Sequence, residues 1–68
     1  MKKTNKIEGK GIGETVQVFK AYGHYEGYQI DGNEKILSWK VYATREEIAE
    51  WLKKLNTEAS LNCLSQLS

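Results

Sequence analysis

Residues 28–47 read Tyr28-Gln29-Ile30-Asp31-Gly32-Asn33-Glu34-Lys35-Ile36-Leu37-Ser38-Trp39-Lys40-Val41-Tyr42-Ala43-Thr44-Arg45-Glu46-Glu47. Asp-Gly and Gly-Asn both suit the positive φ angles of tight hairpin turns, so residues 31–34 predict a hairpin. A loop of Asp31-Gly32 pairs Ile30 with Asn33, and a loop of Gly32-Asn33 pairs Ile30 with Lys35. Either register puts Tyr28 and Ile30 on the face of Leu37, Trp39 and Val41, because side chains alternate with a period of two. That face is expected to be the core. Gln29, Ile36, Ser38, Lys40 and Tyr42 are then expected on the opposite face. Thr44-Arg45-Glu46-Glu47 is a capping box that starts a helix. Ile48, Trp51, Leu52 and Leu55 follow as one apolar stripe, and Asn56 is a natural stop.

Toward the N-terminus, Thr15-Val16-Gln17-Val18-Phe19-Lys20-Ala21-Tyr22 is rich in β-branched and aromatic residues and reads as a strand. Val16 and Val18 lie on one of its faces, and Phe19 and Ala21 on the other. A bulge or cover on both sides would reconcile them. Gly23-His24-Tyr25-Glu26-Gly27 reads as a turn. Residues 1–14 show no period and hold four lysines and three glycines, so they are expected to form a mobile basic arm. Residues 57–68 read as a tail or a short second helix capped by Thr57, with Leu61, Leu64 and Leu67 on one side. The organisation expected is an arm over 1–14, a β-β-β-α domain over 15–56 and a tail over 57–68.

The chain has 68 residues, of which 40% are hydrophobic and 28% charged, with a formal net charge of +1. That bounds it to one small domain with a small core. The near-neutral charge argues against coating nucleic acid by charge alone. No apolar run approaches the ~20 residues a membrane helix needs. Met1-Lys2-Lys3-Thr4-Asn5-Lys6 has the basic end of a signal peptide with no apolar stretch after it, so a cytoplasmic location is expected. Cys63 is the only cysteine and so has no intramolecular disulfide partner.

Several features invite a chemical reading and have a plainer one. Gly9-Lys10-Gly11-Ile12-Gly13-Glu14-Thr15 looks like a phosphate loop, but it lacks the GxxxxGK[ST] spacing and a strand follows it, so the arm reading is preferred. His24 is the sole histidine. A general base needs a partner and a pocket, and none is evident. One His and one Cys are too few for a metal site. Glu46, Glu47 and Glu50 are explained by capping and a solvated helix face. No catalytic residue, metal or cofactor is expected. Trp39 and Trp51 both fit the core pattern, and their contact is expected at the centre of the fold. Tyr22, Tyr25 and Tyr42, with Lys40 beside Tyr42, suit base stacking with phosphate contacts, or a protein interface, or ordinary aromatic surface.

Residues 28–55, and above all Ser38-Trp39-Lys40 with Ala43-Thr44 closing the strand, resemble the amino-terminal arm-binding domain of tyrosine integrases, the AP2-like group. In that family a three-stranded sheet lies in the DNA major groove and a helix packs behind it. The resemblance implies that Gln29, Ser38, Lys40 and Tyr42, with Lys20, face the groove, and that the lysine arm touches phosphates. This chain differs in having Arg45 as its only arginine.

The expectation is therefore an α+β domain: a three-stranded antiparallel meander packed against one α-helix, with an optional short C-terminal helix. The function expected is a non-enzymatic DNA-binding accessory protein of a mobile element. Its partner would be duplex DNA, contacted by Lys20, Gln29, Ser38, Lys40 and Tyr42, with Lys2, Lys3, Lys6 and Lys10 on phosphates. The rival is a phage- or plasmid-type inhibitor or adaptor that binds a protein through a Tyr-rich surface, or forms a homodimer through the sheet edge or the leucine tail.

Overall fold

The structure, a computed structural model, describes residues 5–67. It is α+β, with strands β1 (Asn5–Gly11), β2 (Glu14–Ala21), β3 (His24–Asp31) and β4 (Ile36–Ala43), then helices α1 (Arg45–Leu55) and α2 (Glu58–Leu67). The strands form one antiparallel meander in the order β1-β2-β3-β4. Both helices lie on one face, α2 mainly over β1 and α1 over β3 and β4. Between sheet and helices the core is Val16, Val18, Ala43, Ile48, Leu52, Ala59 and Cys63, all buried. No helix among the described residues is long and apolar enough to cross a membrane.

The helix start and stop agree with the expectation. Thr44 Oγ1 accepts from the Glu47 N–H at 3.1 Å, and the Thr44 N–H donates to Glu47 Oε1 at 2.8 Å. Asn56 ends α1 in the left-handed conformation, φ 52°. Ile48 and Leu52 are buried, and Trp51 and Leu55 pack against the same core. Residues 57–68 fold as far as α2 is described. The Thr57 hydroxyl accepts from the Ser60 N–H at 3.1 Å, and Ser60 Oγ accepts from the Thr57 N–H at 2.9 Å. Ala59, Ser60 and Cys63 are the buried residues of α2; Leu64 and Leu67 pack partly buried against the same core, and Leu61 is exposed.

The sheet has four strands where three were expected. β1 lies within the segment read as a mobile arm and pairs along its whole length with β2, Asn5 opposite Lys20 through Gly11 opposite Glu14. Its glycines are packing devices. A Cβ on Gly9 would overlap the Ala59 carbonyl and stand 2.5 Å from the Cys63 nitrogen, so α2 settles directly on bare backbone. Lys2 and Lys3 lie outside the described residues.

The faces of the sheet also differ from the expectation. The β3–β4 loop is longer than two residues: Asp31 Oδ1 accepts from the Asn33 and Lys35 N–H groups, and Ile30 pairs with Ile36. Tyr28 stands directly across from Trp39, so the two do share a face, but it is the face without helices. The register shifts twice. Leu37 is one residue too many between Gln29 and Ile30, and Val41 and Tyr42 together oppose Glu26. Tyr42 takes φ 52° at this second bulge. The bulge reverses the alternation, so Ala43 is buried under the helices while Trp39, of the same parity, is 62% exposed. Trp51 reaches the sheet on the helix side, over Gly27. The expected Trp39–Trp51 contact does not form, because the sheet stands between them. Residues 23–27 are no turn either. The chain reverses at Tyr22 and Gly23, φ 54° and 84°, and β3 starts at His24.

Candidate functional site

The sheet face opposite the helices is built by alternation from each strand. β1 contributes Lys6, Glu8 and Lys10, directly across from Phe19, Gln17 and Thr15 of β2. β3 adds Glu26, Tyr28 and Ile30, and His24 at its start. β4 adds Trp39 across from Tyr28, and Ile36 across from Ile30. An oblique row of rings therefore crosses three strands: Phe19, Tyr28, Trp39. The Phe19 and Tyr28 rings meet edge to face, with centroids 6.2 Å apart. At one end His24 leans on Tyr42, centroids 4.9 Å apart. Tyr42 is 79% exposed.

The charges on this face are balanced and partly engaged. Gln17 Nε2 donates to Glu8 Oε2 at 3.1 Å. Glu26 accepts from the Tyr28 hydroxyl at 3.3 Å, and its other oxygen lies 3.5 Å from His24 Nε2. Desolvation, and then the charge and hydrogen bond of Glu26, hold the Tyr28 hydroxyl above its ordinary pKa. Tyr28 therefore stays a neutral donor at physiological pH. Lys6 and Lys10 have no ion-pair partner among the described residues; Lys6 stands across from Phe19, and Lys10, beyond Glu8 on the same strand, stands across from Thr15.

The residues expected to face DNA together are divided. Gly27 presents its helix-side face to Trp51, and Lys40 stands directly opposite Gly27, so Lys40 is on the helix side. Gln29 and Ser38 oppose each other on that same side, and Gln29 Nε2 donates to Glu14 Oε1 at 2.8 Å. Lys20 pairs with Tyr25, which packs against the core, and its Nζ sits 5.8 Å from that ring's centroid. Of the set, Tyr42, Lys6 and Lys10 are on the helix-free face. Phe19, Tyr28 and Trp39 are the residues the sequence reading left out of the site. Alternation in the sequence groups Tyr28 with Trp39, and the face that group occupies is the helix-free one and not the core.

No protein-family model, no curated protein and no solved structure matches this chain.

Proposed function

We propose that the protein is a non-enzymatic nucleic-acid-binding module that takes unpaired bases on its helix-free sheet face. The observation that supports this most is the row of Phe19, Tyr28 and Trp39 across three adjacent strands with no helix over it. Flat rings on a rigid sheet stack on bases whatever their sequence, at about 1–3 kcal/mol per base. Lys6 stands across from Phe19 at one end of the row and Lys10 further along the same edge strand, where a strand's phosphates would run, and Tyr42 stacks with His24 on the same face. A balanced charge is compatible with this mode, because stacking supplies affinity that phosphate contacts alone would otherwise provide.

The integrase-like resemblance turns the same face to nucleic acid, since in that family the helix packs behind the sheet; there the sheet lies in a duplex groove, so the resemblance supports the face and the rings support the unpaired bases. The contact residues become Phe19, Tyr28, Trp39 and Tyr42 with Lys6 and Lys10, in place of Gln29, Ser38, Lys40 and Lys20. A role for the protein in a mobile element is part of the same proposal and rests on the resemblance alone.

The test is fluorescence anisotropy with labelled single-stranded and duplex oligonucleotides at two salt concentrations. Trp39→Ala should weaken single-strand binding at least about tenfold, and Lys40→Glu should change it little. Absence of binding at low salt would sink the proposal. Loss on Lys40→Glu with Trp39→Ala silent would return the site to the other face.

A second reading has its own observation. Ile36, Leu37 and Val41 are exposed beside Trp39, and aliphatic side chains add nothing to base stacking. They suit a protein interface, where apolar and aromatic residues form the buried centre.

A further inference from the structure

The two edges of the sheet are treated differently by the fold. β1 is sealed. Asn62 Nδ2 donates to the Lys10 carbonyl at 2.9 Å, and Gln66 Nε2 donates to the Glu8 carbonyl at 2.8 Å. The two amides are one helical turn apart on α2, and the two carbonyls are alternate residues of the strand. Together they occupy the outward acceptors along which another strand would pair. β4 is the other edge, and among the described residues no side-chain bond to its backbone corresponds to these. Ile36, Leu37, Trp39, Val41 and Tyr42 of β4 are all exposed, and Lys40 is its single charge. An uncovered apolar edge with one charge and no proline is a template for strand pairing.

We infer that β4 pairs antiparallel with β4 of a second copy of this chain, about a two-fold axis near Trp39. The sealing of β1 argues for this occupant. A β4-to-β1 contact between copies would repeat head to tail into a filament, and the Asn62 and Gln66 amides block it. Pairing β4 with itself closes at two copies. With the axis at Trp39, Lys40 of one copy falls opposite Ser38 of the other, and the two Lys40 side chains lie diagonally across the axis on the helix side, so no like charges stand directly opposite each other. The same geometry brings the hairpin end, with Glu34, alongside the α1 end of the second copy, with Arg45. The bulges at Leu37 and at Val41 and Tyr42 bracket residues 38–40. The regular ladder is therefore short, and the exposed side chains supply the rest, which makes the dimer reversible on dilution. Pairing would join the two helix-free faces into one eight-stranded surface with both copies of Trp39 at its middle. The inference stands on the edges alone and holds whether or not the face binds nucleic acid.

The experiment is sedimentation across a concentration series, with amide hydrogen exchange at the two ends of that series. The expected result is a monomer–dimer equilibrium. In it the amide of Trp39, the one within residues 38–40 that points away from β3, gains protection as concentration rises. Leu37→Lys, with its circular dichroism spectrum unchanged, should raise the dimer dissociation constant at least about tenfold. Phe19→Ser, on the helix-free face but two strands in from the edge, should leave it within a factor of two or so. A protein that stays monomeric throughout would overturn the inference. So would a dimer whose β4 amides gain no protection, or one lost equally on Phe19→Ser, since that is face-to-face stacking.

Discussion

The ring of Trp51 occupies the space a side chain at position 27 would need: a Cβ on Gly27 would stand 2.5 Å from Cζ3. That contact carries α1 onto the middle of the sheet. Gly27→Ala forces the indole or the strand to move, and overpacking of this kind costs about 1–3 kcal/mol. Chemical denaturation should show the loss. In a Gly27→Ala/Trp51→Leu double variant the two costs should be less than additive, because the smaller side chain vacates the space.

Gly9→Ala should be worse than Gly27→Ala. Its Cβ meets the backbone of Ala59 and Cys63, and a helix backbone cannot rotate away as a side chain can. Thermal melts of the two variants side by side would rank them, and a Gly9→Ala protein as stable as the parent would contradict the seating of α2 on β1.

Thr44→Ala removes the acceptor for the Glu47 N–H and leaves the Glu47 carboxylate as half of a capping box. The expected loss is about 1 kcal/mol of stability, and Thr44→Ser should recover most of it.

The Cys63 thiol is pushed up to about 11 from an ordinary 9.0 by burial, and then by the nearby charge of Glu8. The folded state therefore keeps its proton where the unfolded chain has lost it. The sign follows: between about pH 9 and pH 11 the unfolded state binds fewer protons, and stability falls as pH rises, by at most about 1.4 kcal/mol per pH unit from this group. Below pH 9 the group contributes no slope. Denaturation of the parent and Cys63→Ala proteins across this window should show the steeper fall only in the parent. Native Cys63 should also resist thiol reagents until the chain opens.

The legible parts of this fold are those whose cause is local. The Thr44 box, the stripe from Ile48 to Leu55 and the stop at Asn56 all lie within one helix, and each can be read from neighbours three or four residues apart. The grouping of Tyr28 with Trp39 was legible as well, since both hairpin registers gave it. Which side that group faces was not. It depends on the two extra residues of β4, and the bulge at Val41 and Tyr42 has no glycine or asparagine to announce its positive φ. β1 was hidden for a tertiary reason. Gly9 and Gly11 look like flexibility in a sequence, and only the arrival of α2 above them shows why a side chain is forbidden. Misreading the faces then moved the candidate site: Gln29, Ser38 and Lys40 were drawn to DNA by an alternation that in fact sets them under the helices' side of the sheet.

The two tryptophans now serve as reporters of opposite faces, Trp39 on the helix-free side and Trp51 beneath α1. Titrating a single-stranded DNA oligonucleotide into isotope-labelled protein and following the two indole N–H signals tests the central claim directly. The account predicts that the Trp39 signal moves, together with the amides of Phe19, Tyr28 and Tyr42, while Trp51 stays in place. Movement of Trp51 and the helices with Trp39 unmoved, or no movement at all at low salt, would contradict it.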